Sequence, residues 1–281
     1  MDLGLEESTV LITGASGGIG RALARVFAEE GANLVLTGNS RFDELEDWAR
    51  TSFGDRAVCA SVDVRDPAAC ERAVDLGRER FGRVDHAVAN AGVWPKPDRP
   101  LHELEPDRFA DTVAVNLLGA AYTARAWMGG LAKEACSEVS EDGRACVLIG
   151  STAGHFGERF HSDYAAAKAG LVGLMHSLKN ELPLLHPGGR VNLIEPGWTV
   201  TEMAREALED DAAVQRALET MALRRLGRAE DVARAAAFLC SPLAAAHLTG
   251  QTLTVAGGME GRRLWDGSGI DVEAVRQAAR R

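Results

Sequence analysis

The stretch VLITGASGGIGRALARVFAEEG, residues 10–31, decides the fold of this 281-residue chain. It begins with a short apolar run typical of a buried strand, turns through Gly14, Gly18 and Gly20, and continues with apolar residues at helical spacing. Glycines permit a tight turn, and the first N–H groups of the following helix then point at whatever lies in that turn. The arrangement is typical of a site for the pyrophosphate of a dinucleotide, with a glycine-rich turn that holds no ligand as the alternative.

Short strand-like runs alternate with longer helical patterns along the rest of the chain. The predicted strands are residues 10–13, 34–37, 57–62, 84–89, 145–149, 191–194 and 252–255. The predicted helices include residues 20–30, 67–81, 106–135, 164–182 and 229–240. Several strands are continuously apolar, which is typical of strands covered by helices on both faces of a parallel sheet. The pattern predicts a single doubly wound (Rossmann-type) α/β domain with a seven-stranded parallel sheet and helices on both faces.

Domain limits follow from the same pattern. We expect one dinucleotide-binding and catalytic domain over residues 1–259, followed by a C-terminal extension over residues 260–281. Residues 201–227 are expected to be helical and belong to an insertion at about 198–226 that closes over the site as a lid. In the extension, Asp271 is expected to cap a short helix.

Composition and charge narrow the classes of function. The formal net charge is −10, and an acidic chain is poorly suited to hold nucleic-acid phosphates. No apolar run reaches the length of a membrane span, and the first residues lack the basic region of a signal peptide. Five cysteines without CxxC spacing favour reduced thiols, and no cluster of His, Cys, Asp and Glu has the spacing of metal ligands. We therefore expect a cytoplasmic protein without a metal that binds neither nucleic acid nor membrane.

The residues after the second strand bear on the ribose of the dinucleotide. In the sequence LVLTGNSR, residues 34–41, no carboxylate stands where an NAD-preferring site usually places one. Asn39, Ser40 and Arg41 are instead suited to face a 2′-phosphate, which favours NADP(H). NAD(H) stays possible, because Arg41 can also point to solvent.

The stretch HSDYAAAKAGL, residues 161–171, holds Tyr164 and Lys168 four positions apart. On a helix such a pair lies on one face, about 5–6 Å apart. The pair is either an inconsequential surface contact or a phenol whose proton is loosened by a neighbouring ammonium.

Eight motifs in this chain resemble those of the short-chain dehydrogenase/reductase family and follow the family's order. They are TGASGGIG (13–20), Asp63-Val64, NAG (90–92), VNLLG (115–119), Ser151, YAAAK (164–168), PGWTVTEM (196–203) and LTGQTLTVAGGM (248–259). The resemblance covers residues 9–259, and Ser151 stands 13 residues before Tyr164, as in the family. Within the family the chain looks most like the oligomeric reductases that include 3-oxoacyl carrier-protein reductases and secondary-alcohol dehydrogenases.

The resemblance implies a catalytic group of Asn116, Ser151, Tyr164 and Lys168. Tyr164 is the acid in reduction and the base in oxidation, and we expect Lys⁺ and oxidised nicotinamide to lower its pKa. Ser151 binds the substrate oxygen. Asn116 holds a water that relays protons from Lys168, which also holds the nicotinamide ribose.

The resemblance also implies a set of cofactor-binding residues. In the glycine loop they are Gly14, Ser16, Gly18, Ile19 and Gly20. Asp63 and Val64 face the adenine, Asn90, Ala91 and Gly92 line its ribose, and Pro196, Gly197, Thr199 and Thr201 surround the nicotinamide carboxamide, with Tyr164 and Lys168 beside its ribose. Gly17 and Asn39 stand where NADP-preferring members often carry a basic residue, and this weakens the prediction of NADP(H) over NAD(H).

Three functions are compatible with these features. The first is an NADP(H)-dependent oxidoreductase that interconverts a small to medium ketone and a secondary alcohol. The second is an NAD-dependent polyol or sugar dehydrogenase, and the third is a nucleotide-sensing scaffold without turnover. The substrate pocket is expected from residues 93–95, 155–160 and the insertion, with His155 and His161 as partly exposed loop residues. The resemblance further implies a homotetramer, or a homodimer, paired through the helix that carries Tyr164.

Overall fold

The computed structural model describes residues 2–133, 143–261 and 270–279. Its centre is a parallel sheet of seven strands, which confirms the predicted fold class. The two middle strands are β1 (Thr9–Ile12) and β4 (His86–Ala89), paired in parallel. On the β1 side lie β2 (Asn33–Gly38) and then β3 (Ala57–Ser61). The order therefore reverses between β1 and β4, at the point where doubly wound sheets bind their ligands.

The other half of the sheet continues outward from β4. The strands on that side, in order, are β5 (Ala145–Ile149), β6 (Arg190–Pro196) and β9 (Thr252–Val255). A separate two-stranded pair consists of β7 (Thr199–Val200) and β8 (Gly227–Arg228). Each of the seven predicted strands overlaps its observed strand, although β4 begins two residues later than expected.

Helices cover both faces of the sheet. The helices are α1 (Gly18–Glu29), α2 (Phe42–Phe53), α3 (Pro67–Phe81), α4 (Pro106–Val113), α5 (Gly119–Leu131), α6 (Thr152–Phe156), α7 (Ser162–Leu185), α8 (Arg205–Glu209), α9 (Asp211–Leu218), α10 (Ala229–Cys240) and α11 (Val272–Ala279). Helices α1, α2 and α10 share one apolar core with the sheet, and α3, α5 and α7 share a second. Successive side chains of β1 point to opposite faces of the sheet: Val10 and Ile12 pack in the first core, and Leu11 packs in the second. Burial on both faces explains why β1 and β5 are continuously apolar, whereas the edge strand β9 is largely exposed.

The helix predicted over residues 106–135 differs from the observed structure. Between α4 and α5 the residues Ala114–Leu118 form a π-helical turn, and α5 ends at Leu131. Residues 134 and 135 lie outside the described part of the chain. A π turn widens the helix locally and is frequent at functional sites. Here it contains Asn116, one of the expected catalytic residues.

The insertion is helical, as expected, and its helical part is divided into the two short helices α8 and α9. Asp210 interrupts it, because its carboxylate accepts hydrogen bonds from the N–H groups of Ala212 (2.9 Å) and Ala213 (3.2 Å) and so starts α9. A short 3₁₀ turn, Glu202–Ala204, precedes α8. The insertion also has its own small apolar core, which is separate from the two cores of the sheet.

The C-terminal helix α11 packs on this insertion. The Asp271 carboxylate accepts a hydrogen bond from the Ala274 N–H at 3.0 Å, as the sequence predicts for a capping residue. Val272 and Val275 join the apolar core of the insertion. Arg276 donates to the Leu208 carbonyl at 2.8 Å, so the tail braces the insertion from outside.

Four of the five cysteines lie in the described part of the chain, and all four are free thiols. Cys70, Cys146 and Cys240 are buried, as expected for packed thiols, whereas Cys59 is partly exposed. Cys136 lies outside the described residues. Among the described helices none is long and apolar enough to cross a membrane.

Candidate active site

The expected site residues converge at the carboxyl edge of the sheet. Gly14 follows β1, Asn90 follows β4, Ser151 follows β5 and Gly197 follows β6. Parallel strands end at the same edge, so loops far apart in sequence meet there. This convergence brings the glycine loop and the expected catalytic group into one cleft.

The backbone of the glycine loop is too close to its surroundings for side chains. Gly14 has φ of +66°, and a Cβ there would lie 2.7 Å from the Cα of Ala91. A Cβ on Gly20 would lie 2.2 Å from the Gly14 carbonyl oxygen and 2.6 Å from the Ala15 Cα. The loop can therefore adopt this tight turn only with glycine at both positions.

The first turn of α1 is suited to an anionic ligand. Gly17 precedes the helix, and within the described residues no side chain caps it. Ile19 anchors the turn by packing against the apolar core, whereas the Ser16 carbonyl faces Arg21 and accepts its hydrogen bond at 3.3 Å. A Cβ on Gly18 would lie 3.0 Å from the Thr201 side chain, so the insertion begins directly beside the loop. An uncapped helix N-terminus behind a glycine turn fits a pyrophosphate.

The segment after β4 connects the glycine loop with the catalytic group. The Asn90 amide donates to the carbonyls of Thr13 at 2.9 Å and Gly14 at 3.1 Å, so it holds the loop in place. Two residues later, a Cβ on Gly92 would lie 2.7 Å from Asn116 Oδ1 and 3.4 Å from Lys168 Nζ. The NAG motif thus lies between the two parts of the cleft.

Ser151 and Tyr164, two of the expected catalytic residues, meet in the cleft. The Ser151 side chain begins α6 by accepting a hydrogen bond from the Ala153 N–H at 3.1 Å, and it also hydrogen-bonds the Tyr164 side chain. Tyr164 is 9% exposed, and its ring meets the edge of Trp94 at 4.8 Å between centroids. The two hydroxyls are therefore neighbours, as binding and protonating a single oxygen require.

Lys168 lies on the same face of α7, with Nζ 5.7 Å from the centroid of the Tyr164 ring. Nζ donates a hydrogen bond to the Ile149 carbonyl at 2.8 Å. Burial lowers the pKa of Lys168 to about 8. Burial also raises the pKa of Tyr164 to about 12, although the hydrogen bond from Ser151 opposes this. Among the chain's own groups desolvation dominates, so the net pKa of Tyr164 is raised rather than lowered.

Asn116 is fully buried in the π turn. Its amide donates to the carbonyls of Thr112 at 3.0 Å and Val93 at 3.1 Å, and its Oδ1 accepts from the Val93 N–H at 3.2 Å. Asn116 therefore connects the loop that follows β4 to the end of α4. Its Oδ1 keeps a second lone pair, which is compatible with the expected bound water.

The expectation of a partly exposed loop residue is wrong for His161, whereas His155 is exposed as expected but lies in α6 rather than in a loop. His161 is 2% exposed and stacks on Trp94 with 4.0 Å between ring centroids. Its Nε2 lies 3.1 Å from the Pro95 carbonyl oxygen and 3.5 Å from an Asp98 carboxylate oxygen. His161 therefore supports Trp94, which in turn contacts Tyr164. The sequence carries no signal for this, since Trp94 and His161 are far apart in it.

Asp163 is a second buried residue that the sequence analysis missed. Its carboxylate accepts from Arg108 Nε at 3.1 Å, from the Thr112 hydroxyl at 3.1 Å and from the Tyr164 N–H at 2.9 Å. The ion pair ties α4 to the start of α7 and fixes the helical turn that carries Tyr164. Its position directly before Tyr164 was the available signal, but the partners lie more than 50 residues earlier.

The expected adenosine-facing residues lie beside the glycine loop. Asn39 and Ser40 are exposed, whereas Arg41 does not point freely to solvent. Arg41 donates to the Ser16 carbonyl at 3.2 Å and forms an ion pair with Glu202 of the insertion. The end of β2 is thus linked to both the glycine loop and the insertion.

Asp63 and Val64 follow β3 on the same edge. The Asp63 carboxylate is paired with Arg65, whose Nη2 lies 2.6 Å from Oδ2, and this hydrogen bond keeps the pKa of Asp63 below its ordinary value. Val64 is buried against Gly119, where a Cβ would lie 2.5 Å from its Cγ2. The Asp63 carboxylate therefore remains an anionic acceptor at neutral pH.

The residues expected around the carboxamide follow β6. Pro196 ends the strand, and a Cβ on Gly197 would lie 2.7 Å from the Ala256 Cβ. The Thr199 hydroxyl donates to the Gly197 carbonyl at 3.0 Å, which closes the turn into β7. Thr201 lies against the glycine loop, so this segment connects the two ends of the cleft.

The rim of the expected substrate pocket is apolar. Its partly exposed apolar residues are Val93, Phe156, Phe160 and Met203. Gly261, at the start of the extension, approaches Phe156, since a Cβ there would lie 3.0 Å from Cδ1. Trp198, expected on the rim, instead packs against the apolar core of the insertion. Among the described residues no group of three His, Cys, Asp or Glu is arranged to hold a metal ion.

The fold and this cleft place the chain in the class of oxidoreductases that use a nicotinamide dinucleotide. A family model described as enoyl-(acyl carrier protein) reductase matches residues 14–260. The 3-oxoacyl-[acyl-carrier-protein] reductase of Salmonella typhimurium is 36% identical over 261 residues, covering 92% of this chain and 99% of that protein. The chain belongs to the short-chain dehydrogenase/reductase family.

Two further relatives widen the range of known activities. The L-rhamnose 1-dehydrogenase (NAD(P)(+)) of Azotobacter vinelandii is 34% identical over 263 residues, covering 91% of this chain and 97% of that protein. A crystal structure from Brucella melitensis, described as a short-chain glucose/ribitol dehydrogenase, superimposes with a TM-score of 0.82 at 32% identity. It covers 92% of this chain and 99% of its own.

Because Lys168 is buried, we expect the free energy of unfolding to depend on pH, and we expect Lys168→Met to remove this dependence. The pKa of Lys168 is about 8 in the folded protein and 10.5 for the free group. Between pH 8 and pH 10.5 this amine is therefore protonated in the unfolded chain and neutral in the folded protein. Folding stability from this group therefore rises as the pH increases from 8 toward 10.5. The rise amounts to about 3 kcal/mol if the shift is complete.

The free energy of unfolding in urea, measured between pH 7 and 10, checks this prediction. We expect wild type to gain stability relative to Lys168→Met across the upper half of that range. Lys179→Met, which removes a partly exposed lysine of the same helix, is the matched control. Parallel pH profiles for wild type and Lys168→Met would contradict the prediction.

Proposed function

We propose that this chain is an NADP(H)-dependent oxidoreductase that interconverts a ketone and a secondary alcohol by hydride transfer, with Tyr164 as the acid and base. The proposal rests on one observation: in a cleft beside the glycine loop Ser151 hydrogen-bonds Tyr164, and Lys168 Nζ lies 5.7 Å from the centre of the Tyr164 ring. A module that only binds nucleotide has no need of a buried phenol at this place, which argues against the scaffold.

When bound, the nicotinamide supplies or accepts the hydride. In reduction, the Tyr164 hydroxyl donates its proton to the carbonyl oxygen, and the Ser151 hydroxyl hydrogen-bonds the same oxygen as charge develops. Lys168⁺ stabilises the resulting phenolate, and the proton is replaced through the lysine and the water proposed at Asn116. In oxidation the same groups act in reverse.

The proton affinities favour the reductive direction. A pKa of about 12 keeps Tyr164 protonated at neutral pH, and this is the form that donates a proton. Oxidation requires the phenolate, which burial disfavours. We therefore propose reduction as the direction in which the chain's own groups work more readily.

The apolar rim supports a small to medium ketone as substrate. Val93, Phe156 and Phe160 offer contacts to hydrocarbon. The Salmonella relative acts, by its name, on a 3-oxoacyl group. An aliphatic or aromatic ketone is thus the class we propose.

A second candidate is an NAD-dependent polyol or sugar dehydrogenase. Two observations favour it: the relatives include a rhamnose dehydrogenase, and Glu202 lies beside Arg41 near the expected adenosine ribose. A carboxylate at that place suits a 2′-hydroxyl better than a 2′-phosphate. NAD(H) therefore remains the alternative cofactor.

Assembly and location are part of the proposal. On α7 the residues Ala166, Ala169 and Gly173 are exposed and form a flat face, which is suited to pairing with a second copy. We propose a homotetramer, or a homodimer, and light scattering in solution checks the number of copies. We propose a cytoplasmic location because the four described cysteines are free thiols, and cysteines stay reduced in the cytoplasm.

A cofactor-oxidation screen tests the proposed function. NADPH and NADH are each offered with a panel of aliphatic, aromatic and 3-oxoacyl ketones, and polyols and sugars are offered with NADP⁺ and NAD⁺. We expect ketone-dependent oxidation, faster with NADPH than with NADH. Turnover limited to polyols with NAD⁺ would establish the second candidate instead, and no turnover with any pair would favour the scaffold.

A further inference from the structure

The expected adenosine end of the cleft contains a carboxylate that comes from the insertion. No Asp or Glu stands between the end of β2 and Asp43, yet Glu202 forms an ion pair with Arg41 across 161 residues of sequence. Arg41 also donates to the Ser16 carbonyl at 3.2 Å. Glu202 therefore lies where the end of β2 meets the glycine loop.

Basic residues surround this carboxylate. Glu202 Oε2 pairs with Arg41, and Oε1 lies 3.7 Å from Arg205 Nη2. The hydrogen bond from Arg41 and the charges of Arg41, Arg205 and Arg21 keep the pKa of Glu202 below its ordinary value. Glu202 is thus an anion at neutral pH, and Thr201 beside it holds it close to Gly18.

We propose that Glu202 sets the choice between NADP(H) and NAD(H) by occupying the guanidinium of Arg41 that a 2′-phosphate requires. This inference rests on the proposed dinucleotide site. A 2′-phosphate must displace Glu202 from Arg41 and is repelled by it, whereas a 2′-hydroxyl leaves the ion pair intact and can donate to the carboxylate. The pair is partly exposed, so the penalty is moderate and NADP(H) is not excluded.

The structure offers Glu202 a place to move to. A cavity of about 450 Å³ adjoins it, with Arg205 and Leu208 in the lining. Arg205 already lies 3.7 Å from Glu202, so the carboxylate keeps one basic partner when it leaves Arg41, although Glu209 also lines the cavity. Binding of a 2′-phosphate would thereby shift the first turn of the insertion, whereas binding of the hydroxyl form would not.

Two nucleotides that differ only in the 2′-phosphate test the proposal by titration calorimetry. They are adenosine 2′,5′-bisphosphate and adenosine 5′-monophosphate. In Glu202→Gln we expect the Kd of the bisphosphate to fall about five- to tenfold, because the competing charge is removed, with the monophosphate almost unchanged. Arg41→Gln should weaken the bisphosphate alone, and in that background Glu202→Gln should tighten it less than in wild type, because only the repulsion is then removed.

Glu206→Gln is the matched control, since it removes a carboxylate of the same insertion that pairs with Lys96 at 3.2 Å instead. Both nucleotides should bind it as they bind wild type. Equal tightening of both nucleotides by Glu202→Gln, or no change in either, overturns the proposal, and so does a wild type that binds neither. Neither probe contains nicotinamide, so a chain that shows the expected pattern yet reduces no ketone would refute the proposed function and leave this inference standing.

Discussion

Replacing Tyr164 with phenylalanine is expected to lower kcat for ketone reduction by about 10²- to 10⁴-fold. The variant keeps the buried ring and its contact with Trp94 and loses only the hydroxyl that hydrogen-bonds Ser151. Because the ring remains, the Kd for the dinucleotide should stay within about twofold of wild type. Steady-state rates and fluorescence titration with NADPH measure the two quantities on the same preparation.

The chain offers a matched control for this variant. Tyr122 in α5 is its other tyrosine, and Tyr122→Phe should leave kcat unchanged. A Tyr164→Phe variant that turns over like wild type would remove Tyr164 from the chemistry. If wild type and Tyr164→Phe both bind nucleotide and neither turns over any substrate, the scaffold becomes the better description.

Replacing Gly20 with alanine is expected to damage both the fold and the cofactor site. The new Cβ would lie 2.2 Å from the Gly14 carbonyl oxygen, and both nearest residues, Gly14 and Ala15, meet it with backbone atoms that cannot rotate away. The turn must therefore open. We expect a loss of about 3 kcal/mol in the free energy of unfolding and a Kd for the dinucleotide raised by more than about tenfold.

Gly17→Ala is the control from the same loop. Its Cβ would meet only the Gly14 carbonyl oxygen, at an ordinary distance of 3.5 Å. Its free energy of unfolding should stay within about 0.5 kcal/mol of wild type. Urea unfolding of both variants checks the pair, and a Gly20→Ala variant as stable as Gly17→Ala would show that the loop is looser than the structure indicates.

Features encoded by neighbouring residues were predictable. The helices at 67–81 and 229–240 match the structure at both ends. For α3 the reason is local: the Asp66 carboxylate accepts from the Ala68 N–H at 2.9 Å, Pro67 opens the helix, and Gly82 ends it in the left-handed conformation. The strands were equally predictable from the sequence, because each is a short apolar run bounded by turn residues.

Features that depend on distant residues were not predictable. The π turn around Asn116 has no signature in helical periodicity, so one long helix was expected there. His161 looked like a loop residue because its stacking partner, Trp94, belongs to another loop. Glu202 reaches Arg41 only because the insertion folds back over the glycine loop.

By itself the sequence determined the architecture and, through its resemblance to a known family, indicated the groups expected in the cleft. Strand and helix periods, glycine positions and helix caps act over a few residues, and these local rules specify a doubly wound sheet whose loops meet at one edge. Only the tertiary structure decided how those groups behave: the raised pKa of Tyr164, the lowered pKa of Lys168 and the pairing of Arg41 with Glu202. The physical reason is that proton affinity and charge pairing depend on desolvation and distance, and these are set by side chains that lie far apart in the chain.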